Sequence, residues 1–141
     1  MNQQQLIEQI KKAFVKCVES NCLEIIDKER IEIFDDEIEK RCFIRQDESQ
    51  PVHFTILNPS QKEIAFLAID KCLFSDDDRW AKCDFVVFDD QTFCFVEVKQ
   101  AKANQRKKRR IKAIGQLKAT VKVFVENIDF ESYELEAHIC L

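Results

Sequence analysis

Glycine and proline are nearly absent, with one and two respectively in 141 residues, which argues against flexible linkers and low-complexity tails. No internal repeat is visible. No run approaches the roughly 20 apolar residues that span a bilayer, and the opening MNQQQLIEQIKKAF interleaves polar residues where a signal peptide would be continuously apolar. A cytoplasmic protein without a membrane segment is therefore expected. Histidine is confined to His53 and His138, and the seven cysteines include no C-x-x-C pair, so the ligand spacing of structural zinc is missing. An odd number of cysteines scattered among apolar neighbours suggests buried free thiols in a reducing compartment.

What is present is a substantial core. Apolar residues make up 45% of the chain, twelve of them phenylalanine, enough for one domain over residues 1–141. The net charge of −4 conceals a segregation: residues 99–122 hold ten Lys or Arg and no acid, leaving 12 basic against 26 acidic residues elsewhere, a balance of −14. Such asymmetry marks either a polyanion-binding face or a solvated helix surface.

The stretch CDFVVFDDQTFCFVEVK, Cys83 to Lys99, predicts a strand, a polar turn at Asp89 to Thr92 and a second strand. Symmetric folding pairs Phe88 with Phe93, places Val86 near Cys94 or Phe95, and sets Asp84 opposite Glu97. Like charges directly opposite destabilise a sheet, and strands as apolar as FVVF and FCFV suggest burial on both faces. A hard divalent cation bound through the two carboxylates would remove the penalty. Lys99 returns to the face of Glu97, which puts an ammonium beside that metal. A purely structural reading instead makes Asp84 and Glu97 strand-end acids with Lys99 as an ion-pair partner.

Around this hairpin, residues 3–20 predict an amphipathic helix with Leu6, Ile7, Ile10, Phe14, Cys17 and Val18 on one stripe. Residues 22–50 are ambiguous between a helix through Ile31, Phe34, Ile38 and Cys42 and short strands around Asp35-Asp36. Their acidity suggests scaffold or partner surface. Val52 to Leu57 reads as a strand ended by Asn58-Pro59, and 63–74 as a further strand giving a three-stranded meander. Asp70 interrupts that run as an edge carboxylate or a metal ligand. Ala101 to Asn127 predicts a long helix with Ile111, Ile114, Leu117 or Lys118, Val121 and Phe124 or Val125 at helical spacing and the basic run in its first half. Gly115 either weakens this helix or permits close packing. Residues 133–140 alternate as a final strand, so the order α-β-β-β-α-β implies a mixed sheet with a parallel pair. Trp80 suits a packing role at the sheet rim or stacking on a base.

Asp84 followed by Glu97-Val98-Lys99, on adjacent strands before a helix, resembles the PD-(D/E)XK nuclease superfamily, whose motif proline is Cys83 here. The resemblance covers roughly Glu63 to Leu141 and implies an α/β, restriction-endonuclease-like core, a mixed central sheet flanked by helices. It further implies that Asp84, Glu97 and the Val98 carbonyl bind Mg2+ or Mn2+, that Lys99 assists at the reacting phosphate, and that Gln116 on the following helix approaches the site. Lys102, Arg106, Lys107, Lys108, Arg109, Arg110 and Lys112 would then hold phosphates flanking the cut. No acid of the first helix can be assigned to the site from sequence.

The expected function is a metal-dependent nuclease acting on nucleic acid, DNA more than RNA, in a defence, repair or recombination setting. Its specificity would come from a homodimer, a partner protein or nucleic-acid structure. Two other classes remain: a nuclease-fold binding or interaction module without turnover, and an acidic immunity or antitoxin protein.

Overall fold

A computed structural model describes all residues, 1–141. Helix α1 (Gln3–Ala13) starts at a capping box in which Asn2 and Gln5 bond each other's backbone, ends with Lys11 and Lys12 in its last turn, and buries Leu6, Ile7 and Ile10. Phe14 is extended, so a separate turn α2 (Lys16–Glu19) follows. This break shifts the helical phase: Cys17 is buried, whereas Val18, expected on the same stripe, is exposed.

Residues 22–50 are strands, not a helix. β1 (Leu23–Ile26), β2 (Arg30–Asp36) and β3 (Arg41–Ile44) are followed by β4 (Phe54–Leu57). The β2–β3 turn falls at 37–40, just after Asp35-Asp36, with Lys40 in the left-handed region at φ 60°. Alternation explains the choice: Ile31 and Ile33 of β2 and Cys42 and Ile44 of β3 are buried at period two.

β5 (Ile64–Ala68), β6 (Phe85–Phe88) and β7 (Thr92–Val98) form the expected antiparallel meander. β5 stops earlier than the reading over 63–74, because the chain turns at Lys71, φ 64°, and Phe74 N–H bonds back to Ile69 O at 3.1 Å. A 22-residue helix, α3 (Arg106–Asn127), then carries the chain over the sheet to β8 (Glu134–Cys140), parallel to β7. The result is an α/β structure with a mixed five-stranded sheet in the order β1-β5-β6-β7-β8 and an antiparallel three-stranded sheet β3-β2-β4. Phe54 of the small sheet meets Phe85 of the large one at 5.5 Å between ring centroids. No helix is long and apolar enough to cross a membrane.

The buried face of α3 differs from the expected stripe. Ala113, Leu117, Thr120 and Phe124 are buried, whereas Ile111, Ile114 and Val125 are exposed. Small Ala113 and Thr120 occupy the sheet-facing side, and Thr120 Oγ1 accepts the Cys83 N–H at 2.8 Å. Phe124 sits among Phe14, Phe93 and Phe95 at centroid distances of 5.0–5.7 Å, fastening both α3 and the α1 region to β7. Gly115 faces open space, so close packing is not its reason.

The cysteines are not all free. Cys22, just before β1, and Cys72, in the turn after β5, form a disulfide with Cα atoms 5.8 Å apart. β1 and β5 are neighbours, which brings these two thiols together across 50 residues of sequence. Cys17, Cys42, Cys83, Cys94 and Cys140 are unpaired. Cys22 and Cys72 thus depart from the expected set of buried free thiols.

Candidate metal and phosphodiester site

The β6–β7 hairpin forms as its sequence implies. Asp89 Oδ1 accepts the Gln91 and Thr92 N–H groups at 2.8 and 2.9 Å, fixing the turn. From there the register runs Phe88–Phe93, Val86–Phe95 and Phe85–Val96. Asp84 N–H continues the pairing to Val96 O at 3.2 Å, leaving Asp84 beside Glu97 on the face of Val86 and Phe95.

Both acids are buried, Glu97 almost completely at 1% exposure and Asp84 at 9%. Asp84 Oδ2 accepts the Val98 N–H at 2.8 Å, which aims its carboxyl across the hairpin. Lys99 Nζ lies 2.8 Å from Glu97 Oε2, also largely out of solvent. The other oxygen, Glu97 Oε1, is buried with no hydrogen-bond donor opposite it. Burial, then the Glu97 charge, pushes the Asp84 carboxyl up, with the Val98 N–H opposing. Burial likewise raises Glu97, opposed chiefly by the Lys99 ammonium.

These groups lie at the base of a cleft of about 380 Å³. The end of the β2–β3 hairpin supplies one wall with Asp35, Asp36, Glu37 and Lys40, and α3 supplies another with Arg109, Lys112 and Gln116. The α3 residues are spaced at i, i+3 and i+7 and so share one helix face. Gln116 Nε2 donates to Lys82 O at 3.1 Å, while its Oε1 is buried without a partner. Of the basic residues expected to meet phosphates, Arg109 and Lys112 line the cleft. Lys102, Arg106, Lys107, Lys108 and Arg110 are exposed around the start of α3 and do not line it.

Two further acids belong to the site. Asp70 follows β5, where Ile69 N–H bonds to Asp84 O at 2.9 Å, and it lines the cleft. Burial raises it, with Lys71 and Lys82 opposing. Asp35 is raised by burial, with His53, Lys40 and Lys99 opposing. The interruption of an apolar run was the sequence signal for Asp70. Asp35 gave none beyond a turn-forming doublet, because only docking of the small sheet brings it to Asp84. No α1 residue reaches the cleft, so the first helix contributes no acid.

Asp35 is held in place by its own backbone. Its N–H donates to His53 Nδ1 at 2.8 Å, and the other ring nitrogen lies 2.9 Å from the Gln100 side-chain amide. This bridge joins the acidic hairpin to the chain immediately after Lys99. Trp80 lies outside the cleft, packed edge-on against Phe74 at 4.7 Å with the Lys82 ammonium 5.2 Å from its ring. That is the packing role.

The donor set fits a hard divalent cation. It consists of carboxylate oxygens, one of them orphaned, in a pair that burial holds toward the protonated form, with the Glu97 charge adding to this at Asp84. One lysine offsets one carboxylate, so without a cation the pair is held toward keeping a proton that a bound divalent ion would displace. Comparison of the chain with protein-family models, curated proteins and solved structures finds no match.

Proposed function

We propose that the protein is a divalent-metal-dependent nuclease of the PD-(D/E)XK type, hydrolysing phosphodiester bonds in nucleic acid, with DNA as the first polymer to test. The carrying observation is the buried Asp84–Glu97 pair, with one orphaned oxygen and a lysine two residues on, just past the end of β7. Strand order supports a restriction-endonuclease-like core: a meander β5-β6-β7, a helix, and β8 parallel to β7.

In this reading Asp84, Glu97 and the Val98 carbonyl hold Mg2+ or Mn2+, with Asp70 adjoining. The cation, when bound, acidifies a water and neutralises charge on the scissile phosphate. Lys99, released from sole pairing with Glu97, presents a compact ammonium to the developing negative charge. Arg109 and Lys112 grip phosphates along one wall, and the exposed cations at the start of α3 extend that track. Gln116 offers its free Oε1 to water or substrate. Asp35, Asp36 and Glu37 repel phosphate from the opposite wall and so confine its approach to the α3 side.

The test incubates linear, circular, single-stranded and structured DNA and RNA with the protein, with and without Mn2+, alongside Glu97→Ala. Cutting that requires Mn2+ and vanishes in the variant is expected. Mn2+ binding and nucleic-acid binding with no cutting on any substrate would favour an interaction module that has lost turnover.

A further inference from the structure

A second group of potential ligands lies on the other face of the large sheet. Phe93 and Phe95 of β7 pack on Phe124 of α3, so Cys94 between them points away from the helices. The parallel register sets Cys94 beside Glu136 and Val96 beside His138, which places Cys94, Glu136 and His138 on one face of adjoining strands. Their donor atoms all lie within 4.8 Å of one another. Glu136 Oε1 and His138 Nε2 are 3.0 Å apart. The Cys94 thiol has only a weak contact, 3.9 Å to the Phe95 carbonyl.

We propose that Cys94, Glu136 and His138 form a binding site for a thiophilic divalent cation, Zn2+ foremost, that bridges β7 to the edge strand β8. One sulfur, one imidazole nitrogen and one carboxylate oxygen are a zinc donor set, and three protein ligands leave the fourth tetrahedral position to water. Zinc bond lengths place such ligands about 3.5 Å apart. The half-buried Cys94 and Glu136 and the exposed His138 have the rotamer freedom to close that gap. On binding, the Cys94 thiol gives its proton to solvent, neutral His138 donates its lone pair, and Glu136 exchanges its contact with His138 for the metal.

The sequence hides this site because its donors come from strands 42 residues apart rather than from a short motif. It is chemically distinct from the cleft, where only carboxylate and amide oxygens gather. The bound cation would clamp β8, which has β7 as its sole neighbour in the sheet.

The experiment titrates Co2+, a spectroscopic stand-in for Zn2+, into the protein with its Cys22–Cys72 disulfide intact, under anaerobic conditions, and follows thiolate-to-cobalt charge-transfer absorption. One equivalent of binding is expected, displaced by Zn2+ and retained in Glu97→Ala. Cys94→Ser should abolish the band, and His138→Gln should weaken binding by roughly tenfold or more. His138 is exposed, so its variant folds and decides the matter even where Cys94→Ser does not. Absence of the band in the wild-type protein, its persistence in folded Cys94→Ser, or undiminished affinity in His138→Gln overturns the site.

Discussion

Lys99 Nζ sits 2.8 Å from Glu97 Oε2, while Oε1 of the same carboxyl is buried with no donor opposite it. One ammonium therefore serves one oxygen of a pair that also includes Asp84. Asp84→Asn retains an oxygen for the Val98 N–H and removes the like charge. Metal-free Asp84→Asn is expected to melt above the wild type, and Mn2+ to raise the Tm of the wild type only. Differential scanning fluorimetry with EDTA or Mn2+ measures both. A lower Tm for the metal-free variant would show that the pair is satisfied without a cation.

The same pair sets a pH dependence. Burial raises both carboxyls above their ordinary values of roughly 4. In the unfolded chain they ionise near those values, whereas the folded protein keeps its protons to higher pH. The folded state thus binds more protons, and this contribution to stability falls as pH rises through the interval between the two. The metal-free stability difference between wild type and Asp84→Asn should widen from about pH 5 to about pH 8, and the Mn2+ increment should grow with it. A difference independent of pH contradicts the assignment.

Arg109 and Lys112 line the cleft, whereas Lys118 lies beside an apolar groove between α3 and β8. In a Glu97→Ala background, adding Arg109→Ala or Lys112→Ala should reduce the slope of log affinity against log salt by roughly 0.9 per lost duplex contact and roughly 0.7 for a single strand. Lys118→Ala should leave it unchanged. Fluorescence anisotropy over a salt series provides the slopes.

The Cys22–Cys72 link closes a separation of 50 residues, for which chain entropy gives about 4 kcal/mol of stabilisation. Urea denaturation with and without dithiothreitol should show a loss of this order, and Cys22→Ser should reproduce it without reductant. The turn containing Cys72 also carries Asp70, so reduction is expected to weaken Mn2+ affinity as well. Identical urea midpoints under both conditions would exclude a stabilising disulfide.

The hairpin was legible because its turn residues and two apolar strands leave one symmetric pairing, which places Asp84 by Glu97. Helix α3 was legible in extent but not in orientation. Helical spacing suggested Ile111 and Ile114 for the buried face, whereas the sheet approaches at Ala113 and Thr120. The 22–50 region resisted because segments as short as IEIF and RCFIR satisfy either period. It becomes readable only once β1 pairs with β5 and β2 with β4. Long-range pairing also joins Cys22 to Cys72 and brings Asp35 to the cleft, and no local pattern encodes either.

The central claim is that Asp84 and Glu97 hold the cation at which a phosphodiester is cut. The most direct measurement is the initial cleavage rate against Mn2+ concentration, on the best substrate of the panel, for wild type, Asp84→Asn and Lys99→Ala. Saturating Mn2+ dependence is expected in the wild type. Asp84→Asn should show no cutting at any concentration, and Lys99→Ala should keep Mn2+ binding with a rate reduced on the order of 10²–10³-fold. Wild-type rates in Asp84→Asn, or cleavage that persists in EDTA, would contradict it.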